Sequence, residues 1–330
     1  MSRRVLVTGI TGFAGSHLAE RLLAEGDEVH GLAHEPPPHP HLAAITGELR
    51  MRSGDVADGD AVRAALLAVR PDVVFHLAGV AVPTQAAADP RAAVRVNVEG
   101  AAAVAAAVRA LPGTRLVAAS SADVYGSPPA LPVGEATPAR PGNVYAATKV
   151  AAEAILLAGG AGTVVLRPAN QNGPRQHPGL AASAFAKQIA EAEAGLREPV
   201  LRHGRTDQAR DFVDVRDMAG AYVLASRLPL APPAVFNVGS GVAVAIAEIL
   251  RILVSLARIP MRAEADPSRM RPGGPSALAL DARRFREATG WSARIPLERS
   301  LSDTLAYWRE RVSAASEEAS PEARDRARGA

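Results

Sequence analysis

Short apolar segments alternate with longer helical segments through the first 170 residues, and this alternation limits the possible folds. Residues that favour strands occur at Arg4–Val7, Glu28–Ala33, Val73–Leu77, Arg115–Ala119 and Thr163–Leu166. Helical patterns lie between them, at Ala14–Ala24, Ala61–Val69, Arg91–Ala110 and Tyr145–Leu157. Strands and helices that alternate at this spacing form a parallel sheet with helices on both faces. The sequence therefore predicts an α/β protein with a doubly wound parallel sheet.

The composition argues against several classes of protein. The 330 residues are enough for two domains, and they include no cysteine, so disulfides and cysteine-bound metals are not expected. No apolar run approaches the ~20 residues of a membrane helix, and no secretory signal or metal site is expected. The 35 arginines and two lysines are scattered, and the net charge is only +3. This distribution argues against a nucleic-acid partner. The lack of cysteines, of a secretory signal and of a membrane-length apolar run predicts a cytoplasmic protein.

A glycine-rich turn joins the first predicted strand to the first predicted helix. Residues 5–15 read VLVTGITGFAG, with glycines at positions 9, 12 and 15. Gly9 allows a tight turn, Gly12 lets the backbone approach a pyrophosphate, and Gly15 lets helix and strand pack closely. This succession predicts a dinucleotide site that also includes Thr11 and Phe13.

The residues that follow the second and fourth strands bear on the cofactor. An acidic residue at the end of the second strand normally binds the adenosine ribose, but this chain has Ala33 and His34 there, with Glu35 one residue later. Without that carboxylate a 2′-phosphate could contact His34, which favours NADP(H) over NAD(H). Asp55 fits either an adenine contact or a helix N-cap region. The other predicted cofactor residues of these loops are Val56, Leu77, Ala78 and Gly79.

Two segments together carry the side chains of an acid–base site. Ser121 and Asp123 follow a predicted strand, so they fall at the carboxyl end of the sheet, where doubly wound folds bind ligands. Tyr145 and Lys149 open a helix four residues apart and share one face. An ammonium group stabilises a phenolate and lowers its pKa toward the range of a catalyst. We therefore predict that Tyr145 is an acid–base group and that Ser121 orients a substrate oxygen.

These motifs resemble the extended short-chain dehydrogenase/reductase family from about residue 3 to residue 311. The resemblance implies a Rossmann domain at residues 1–168, to which some C-terminal segments return, and a nucleotide-sugar-binding region at residues 169–312. The glycine turn, Ser121, Tyr145 and Lys149 match the cofactor loop and catalytic trio of the family. Asn97 matches an asparagine that supports the active-site helix, and Pro168 is a further implied cofactor contact. Residues 313–330 lack an apolar stripe, which predicts disorder.

Segments of the second half are similar to those of GDP-4-keto-6-deoxy-mannose reductases and GDP-mannose 4,6-dehydratases. Residues 167–174 (RPANQNGP) and 185–191 (FAKQIAE) imply substrate contacts by Asn170 and Lys187. Residues 210–217 (RDFVDVRD) and 266–272 (DPSRMRP) place Arg210 and Arg271 where the family binds the nucleotide and its diphosphate. A planar guanidinium suits paired phosphate contacts. Gly274 replaces the aspartate that usually holds the nucleotide ribose, so this segment does not establish which base the nucleotide carries.

The residue two positions before Tyr125 separates two activities within this resemblance. A 4,6-dehydratase needs a second acid–base group, normally a glutamate at that position, where this chain has Asp123. Aspartate is one methylene shorter, and a misplacement of ~1 Å can cost about a hundredfold in rate. The resemblance thus favours NAD(P)H-dependent reduction of a GDP-linked 4-keto-6-deoxy sugar, with Asp123 bonded to the hexose. The alternatives are a 4,6-dehydratase or 4-epimerase with tightly bound NAD(P)+, and a non-catalytic dinucleotide sensor.

Many members of this family dimerise through the two helices that flank the active site. Here those helices are predicted at Arg91–Ala110 and Tyr145–Leu157, and their alanines permit close packing. The resemblance therefore implies a homodimer.

Overall fold

The computed structural model describes residues 2–160, 162–230, 233–270 and 275–318. The chain forms two compact units. The first comprises residues 1–171, 210–243 and 273–294, and the second comprises residues 172–209, 244–272 and 295–330. Two later segments thus belong to the first unit. The opening segment of this unit ends at residue 171, three residues after the predicted boundary at residue 168.

A seven-stranded parallel sheet forms the centre of the first unit, which confirms the predicted fold class. With strands numbered along the chain, it contains β1 (Arg4–Thr8), β2 (Glu28–Ala33), β3 (Arg50–Ser53), β4 (Val73–His76), β5 (Arg115–Ala119), β6 (Thr163–Pro168) and β10 (Ala234–Val238). Their order is β10-β6-β5-β4-β1-β2-β3. The strand order reverses between β1 and β4, and such a switch point is where doubly wound sheets bind ligands.

Helices cover both faces of this sheet because successive strand residues point to opposite sides. Val5 packs in an apolar cluster with Leu18 and Met218, whereas Leu6 packs in a second cluster with Leu66. The helices of the unit are α1 (Phe13–Ala24), α2 (Gly59–Val69), α3 (Pro83–Ala88), α4 (Pro90–Val94), α5 (Gly100–Arg109), α6 (Val144–Ala158), α8 (Val215–Ala225) and α10 (Arg283–Thr289). Strands β9 (Ala209–Asp214) and β13 (Ala277–Leu278) pair outside the main sheet.

Among the described residues, the second unit has three α-helices and a two-stranded parallel sheet. Its elements are α7 (Ala181–Glu193), α9 (Ile246–Ser255), α11 (Leu297–Glu318), β8 (Val200–His203) and β12 (Arg262–Ala265), with β7 (Asn170–Asn172) and β11 (Ala243–Ala245) at its limits. Arg309 of α11 makes two hydrogen bonds of 2.6 and 2.7 Å to Glu193 of α7. In the described part of the chain, no helix is long and apolar enough to cross a membrane.

The predicted helix Arg91–Ala110 corresponds to residues 90–109, where a π-helical turn at Arg95–Glu99 joins α4 to α5 without a break. The second half of the chain contains the long helix α11, which spans 22 residues. The prediction of disorder is wrong for residues 313–318, since α11 continues to Glu318 and buries Val312. Residues 319–330 lie outside the described residues.

Candidate active site

The glycine turn brings the carboxyl ends of β1 and β4 together. Gly9 has a φ of +73°, and a Cβ there would lie 2.6 Å from the backbone nitrogen of Ala78. A Cβ on Gly15 would lie 2.1 Å from the carbonyl oxygen of Gly9, so any side chain would separate α1 from the turn. Gly12 is the N-cap of α1 and offers no capping side chain. The start of α1 is therefore suited to bind an anion such as a pyrophosphate.

A cavity of about 300 Å³ opens at this turn. Nine predicted cofactor residues line it: Gly9, Thr11, Gly12, His34, Asp55, Val56, Leu77, Ala78 and Gly79. Phe13 and Gly15 instead form the first turn of α1, and Pro168 is buried at the end of β6. Small residues on two sides and an open helix N-terminus fit a dinucleotide in this cavity.

Charged residues form the rim of the cavity, and sequence reasoning missed part of this pattern. Thr11 Oγ1 donates to Glu35 Oε2 at 3.2 Å, and His34 Nδ1 lies 3.4 Å from the same oxygen. Arg95 Nη1 donates to Asp55 Oδ2 at 2.6 Å, and this bond, with one from a backbone amide, lowers the pKa of Asp55. The cap of α2 is Asp58, three residues later. Asp55 therefore lines the cavity and does not cap the helix.

Helix α6 carries the two predicted catalytic residues into the interior. Asn143 caps this helix by accepting the Ala146 amide at 2.8 Å. Tyr145 and Lys149, one helical turn apart, are 8% and 7% exposed. Lys149 Nζ donates to the carbonyl oxygen of Ala119 at the end of β5 at 2.9 Å. The Tyr145 side chain is hydrogen-bonded to that of Ser121, so the structure brings the predicted trio together.

Lys149 also reaches the cofactor cavity. A Cβ on Gly79, which lines that cavity, would lie 3.4 Å from Lys149 Nζ and 2.9 Å from Asn97 Oδ1. Asn97 Oδ1 accepts the Val80 amide at 2.7 Å, and Asn97 Nδ2 donates to Thr148 Oγ1 at 2.9 Å. Asn97 therefore ties the loop after β4 to the catalytic helix, which is the supporting role that the resemblance implied.

The electrostatics of the trio differ from the sequence-based expectation. Burial raises the pKa of Tyr145, and the Asp123 charge raises it further, against the hydrogen bond from Ser121. The net shift of this pKa is therefore upward and not downward as predicted, because desolvation of the phenolate dominates. Burial also lowers the pKa of Lys149 to about 8, while Glu153 opposes that shift. The site holds a protonated phenol, which is ready to donate a proton.

Asp123 lies beside the trio. Its backbone amide donates to Ser121 Oγ at 3.1 Å. Burial raises the pKa of its carboxyl group, and the charge of Arg210 lowers it. Arg210 Nη1 in turn donates to the carbonyl oxygen of Pro275 at 3.1 Å. Two predicted substrate residues, Asp123 and Arg210, thus influence each other within the first unit.

The remaining predicted substrate residues are more widely distributed. Asn170 is exposed in β7. Lys187 belongs to the second unit, where its Nζ lies 3.6 Å from Glu191 Oε1 and 5.4 Å from the ring centre of Trp308. Arg271 and the position of Gly274 lie outside the described residues.

Sequence reasoning missed a cationic cavity of about 240 Å³ in the second unit. Its lining includes Phe185, Arg202, His203, Arg205 and Arg269. Asp207 pairs with one of these arginines and Asp266 with another, at 2.6 and 3.2 Å. The LRHGR run at residues 201–205 was a usable signal, because it places three basic side chains within five residues. Such a lining suits a phosphate-bearing ligand.

The dinucleotide cavity and the Ser121–Tyr145–Lys149 trio together define an NAD(P)-dependent oxidoreductase. Residues 5–239 match the model of the NAD dependent epimerase/dehydratase family. The chain belongs to this family.

Similar proteins narrow the substrate class. The GDP-6-deoxy-D-mannose reductase of Pseudomonas aeruginosa is 34% identical over 323 residues, which cover 94% of this chain and 99% of that protein. A UDP-glucose 4-epimerase of Mycolicibacterium smegmatis is also 34% identical, over 315 residues that cover 93% of this chain and 98% of that protein. The solved structure of RMD from Pseudomonas aeruginosa with NADPH has a TM-score of 0.79 at 31% identity, covering 94% of this chain and 100% of that one. The chain is thus an NAD(P)-dependent enzyme that modifies nucleotide sugars.

Proposed function

We propose that this enzyme reduces the C4 keto group of GDP-4-keto-6-deoxy-mannose, forming a GDP-6-deoxy-hexose of the GDP-rhamnose type. The observation that carries this proposal is the placement of Tyr145, whose buried phenol lies beside Ser121 and shares one face of α6 with Lys149. Reduction of a ketone needs a proton donor at the developing alkoxide, whereas the oxidation that begins dehydration or epimerisation needs a base. Near-full-length similarity to a GDP-6-deoxy-D-mannose reductase supports the same direction.

Each side chain of the site has a separate role in the proposed reduction. A bound NAD(P)H supplies the hydride that C4 receives. Ser121 donates a hydrogen bond that orients the C4 oxygen, and Tyr145 transfers its proton to that oxygen as negative charge develops. Lys149, held by the Ala119 carbonyl, binds the nicotinamide ribose and stabilises the phenolate that remains. Asp123, whose backbone amide donates to Ser121 Oγ, lies close enough to the trio for its carboxyl group to accept a hydrogen bond from a hydroxyl of the hexose.

The nucleotide end of the substrate is assigned to cationic and amide side chains. Arg210, Asn170, Lys187 and Arg271 take this role by resemblance. Guanidinium groups bind the two negative phosphates of a diphosphate through paired hydrogen bonds.

We assign NADP(H) as the preferred cofactor. Ala33 stands where a carboxylate would repel a 2′-phosphate, and His34 lines the same rim of the cavity. The similar RMD structure contains NADPH. Titration of NADPH and NADH by nicotinamide fluorescence tests the assignment: we expect NADPH to bind more tightly, and equal or inverted affinities would contradict it. A homodimer and a cytoplasmic location stay predictions.

A 4-epimerase is the second candidate, because a UDP-glucose 4-epimerase is as similar as the reductase. An epimerase of this kind retains an oxidised cofactor and consumes no reductant. One pair of assays separates the candidates. With NADPH and freshly generated GDP-4-keto-6-deoxy-mannose, a reductase consumes one NADPH per substrate. With UDP-glucose and no added cofactor, an epimerase forms UDP-galactose, and that result without NADPH consumption in the first assay would overturn our proposal.

A further inference from the structure

A buried polar network lies directly beneath the catalytic trio. Glu153 accepts a hydrogen bond from Ser120 Oγ and two from Arg167, from Nε at 2.9 Å and from Nη2 at 2.7 Å. Arg167 Nη1 also donates to the Tyr125 hydroxyl at 2.9 Å, and that hydroxyl donates to Asn237 Oδ1 at 2.7 Å. All five residues are less than 10% exposed. The network thus joins α6, β6 and β10 to the segment that follows β5.

Such a network is not required for a stable core. A buried ion pair loses much of its attraction to desolvation, and apolar side chains of similar volume often serve equally well. The fold therefore gains little stability from Glu153 and Arg167 that methionines would not supply. The position of Glu153 and Arg167 beside the trio suggests another reason for burying these two charges.

Glu153 of this network lies one helical turn from Lys149. Tyr145, Lys149 and Glu153 follow each other at intervals of four on the same face of α6. Ser120, the partner of Glu153, stands between Ala119, whose carbonyl accepts from Lys149, and Ser121, which bonds Tyr145. The Ser120 amide donates to the Leu166 carbonyl at 2.7 Å, directly before Arg167 on β6.

We propose that Glu153 is a positioning residue for the reaction: held by Arg167, it fixes Ser120 and thereby sets Ser121 and the Ala119 carbonyl against Tyr145 and Lys149. This inference rests on the proposed function, because it assigns these residues to catalysis. It connects α6, the end of β5 and β6 into one rigid frame around the trio.

The charge of Glu153 contributes as well. The groups that face Lys149 are Tyr145 and Glu153 from its own helix, His76 from β4, and Arg167 from β6 behind Glu153. His76 is neutral, because burial lowers its pKa to about 3. Glu153 is the acid that raises the pKa of Lys149 against burial. Its loss should therefore deprotonate Lys149 at a lower pH.

Substitution of Glu153 tests the proposal through the pH profile of kcat. In Glu153→Gln we expect kcat to fall about 30- to 100-fold, as a small misplacement does, and the alkaline limb to move down by about one pH unit. The control is Asp27→Asn, which breaks the Arg3–Asp27 pair elsewhere in the first unit. It should lower the melting temperature and leave the alkaline limb in place. An unmoved limb and unchanged kcat in Glu153→Gln would overturn the proposal.

Two further variants keep the test valid if Glu153→Gln fails to fold. Glu153→Met with Arg167→Met restores a packed, uncharged core but gives Ser120 no partner, so we expect a stable protein with low kcat. Ser120→Ala removes only one hydrogen bond of Glu153, and we expect a fall of about tenfold in kcat with KM little changed. Wild-type kcat in either variant would show that the network is only structural.

The pH dependence of NADPH binding separates this inference from the proposed function. If the wild-type enzyme does not reduce the GDP-keto sugar, the proposed function fails, but nicotinamide fluorescence still reports Lys149 at the cofactor ribose. NADPH affinity should then weaken at a lower pH in Glu153→Gln than in the wild type. Identical pH dependences in the two proteins would contradict the role of Glu153.

Discussion

Tyr145 is the proton donor that we propose for the reaction. Its phenol is buried, bonded to Ser121, and protonated at neutral pH because desolvation disfavours the phenolate. Tyr145→Phe removes the proton donor and little volume, so we expect kcat to fall about 10²–10⁴-fold and the Kd of NADPH to change by less than about threefold. Stopped-flow NADPH oxidation and fluorescence titration measure the two quantities. Unchanged turnover would remove Tyr145 from the mechanism.

His76 links the active site to stability in acid. Its Nδ1 lies 2.8 Å from Thr8 Oγ1, and burial lowers its pKa to about 3. In the unfolded chain His76 is protonated near pH 6.5, whereas in the folded chain it stays neutral down to about pH 3. Acidification between these pH values therefore lowers the free energy of unfolding by up to ~1.4 kcal/mol per pH unit.

Urea unfolding at pH 7 and pH 5 measures this effect. Between these values the wild type should lose about 2 kcal/mol more than His76→Asn, which cannot titrate. Equal losses in the two proteins would show that His76 is not the group responsible.

The turn between β1 and α1 requires a residue without a side chain at position 15. A Cβ on Gly15 would lie 2.1 Å from the Gly9 carbonyl oxygen. In Gly15→Ala the start of α1 must move, and a strain of ~1–3 kcal/mol corresponds to about a 5- to 150-fold loss of NADPH affinity. Gly59→Ala is the matched control, since nothing lies within 4 Å of a Cβ there. Equal affinity in the two variants would contradict this account of the turn.

The elements that the sequence predicted are those with a strong local pattern. β1, β5, α1 and α6 differ from their predictions by one residue or less at each end, because each alternates or repeats apolar residues along its own length. β3, with the sequence RMRS, is mostly exposed, and its pairing with β2 is not visible in its own residues. β10 lies among prolines, beyond the part of the chain where strands and helices alternate.

The site residues also divide into those that local sequence predicts and those that it does not. Short motifs contain Gly9, Ser121, Tyr145 and Lys149, and the spacing within these motifs predicts their roles. The bond between Arg95 and Asp55 joins residues 40 positions apart, and that between Arg167 and Glu153 joins a strand to a helix. Such partners depend on the completed fold, so no local pattern identifies them.

At the scale of the whole molecule, the outer faces of α5 and α6 are suited to self-association. Ala102 and Ala106 of α5 and Ala147 and Ala154 of α6 are exposed, and small side chains let helices approach closely. We expect light scattering to give about twice the chain mass of 34.2 kDa. Ala154→Arg should shift this mass toward that of one chain. A wild-type mass of one chain would contradict the homodimer.

We propose that hydride passes from an external reduced nicotinamide to C4 of a nucleotide-linked keto sugar. NADPH deuterated at C4 of the nicotinamide, on each face in separate reactions, tests it most directly when it is supplied with GDP-4-keto-6-deoxy-mannose. We expect one of the two reactions to give a sugar nucleotide with a single deuterium at C4, and Tyr145→Phe to give almost none. A sugar product without deuterium from both reactions would contradict the claim and favour an enzyme that recycles its own bound cofactor.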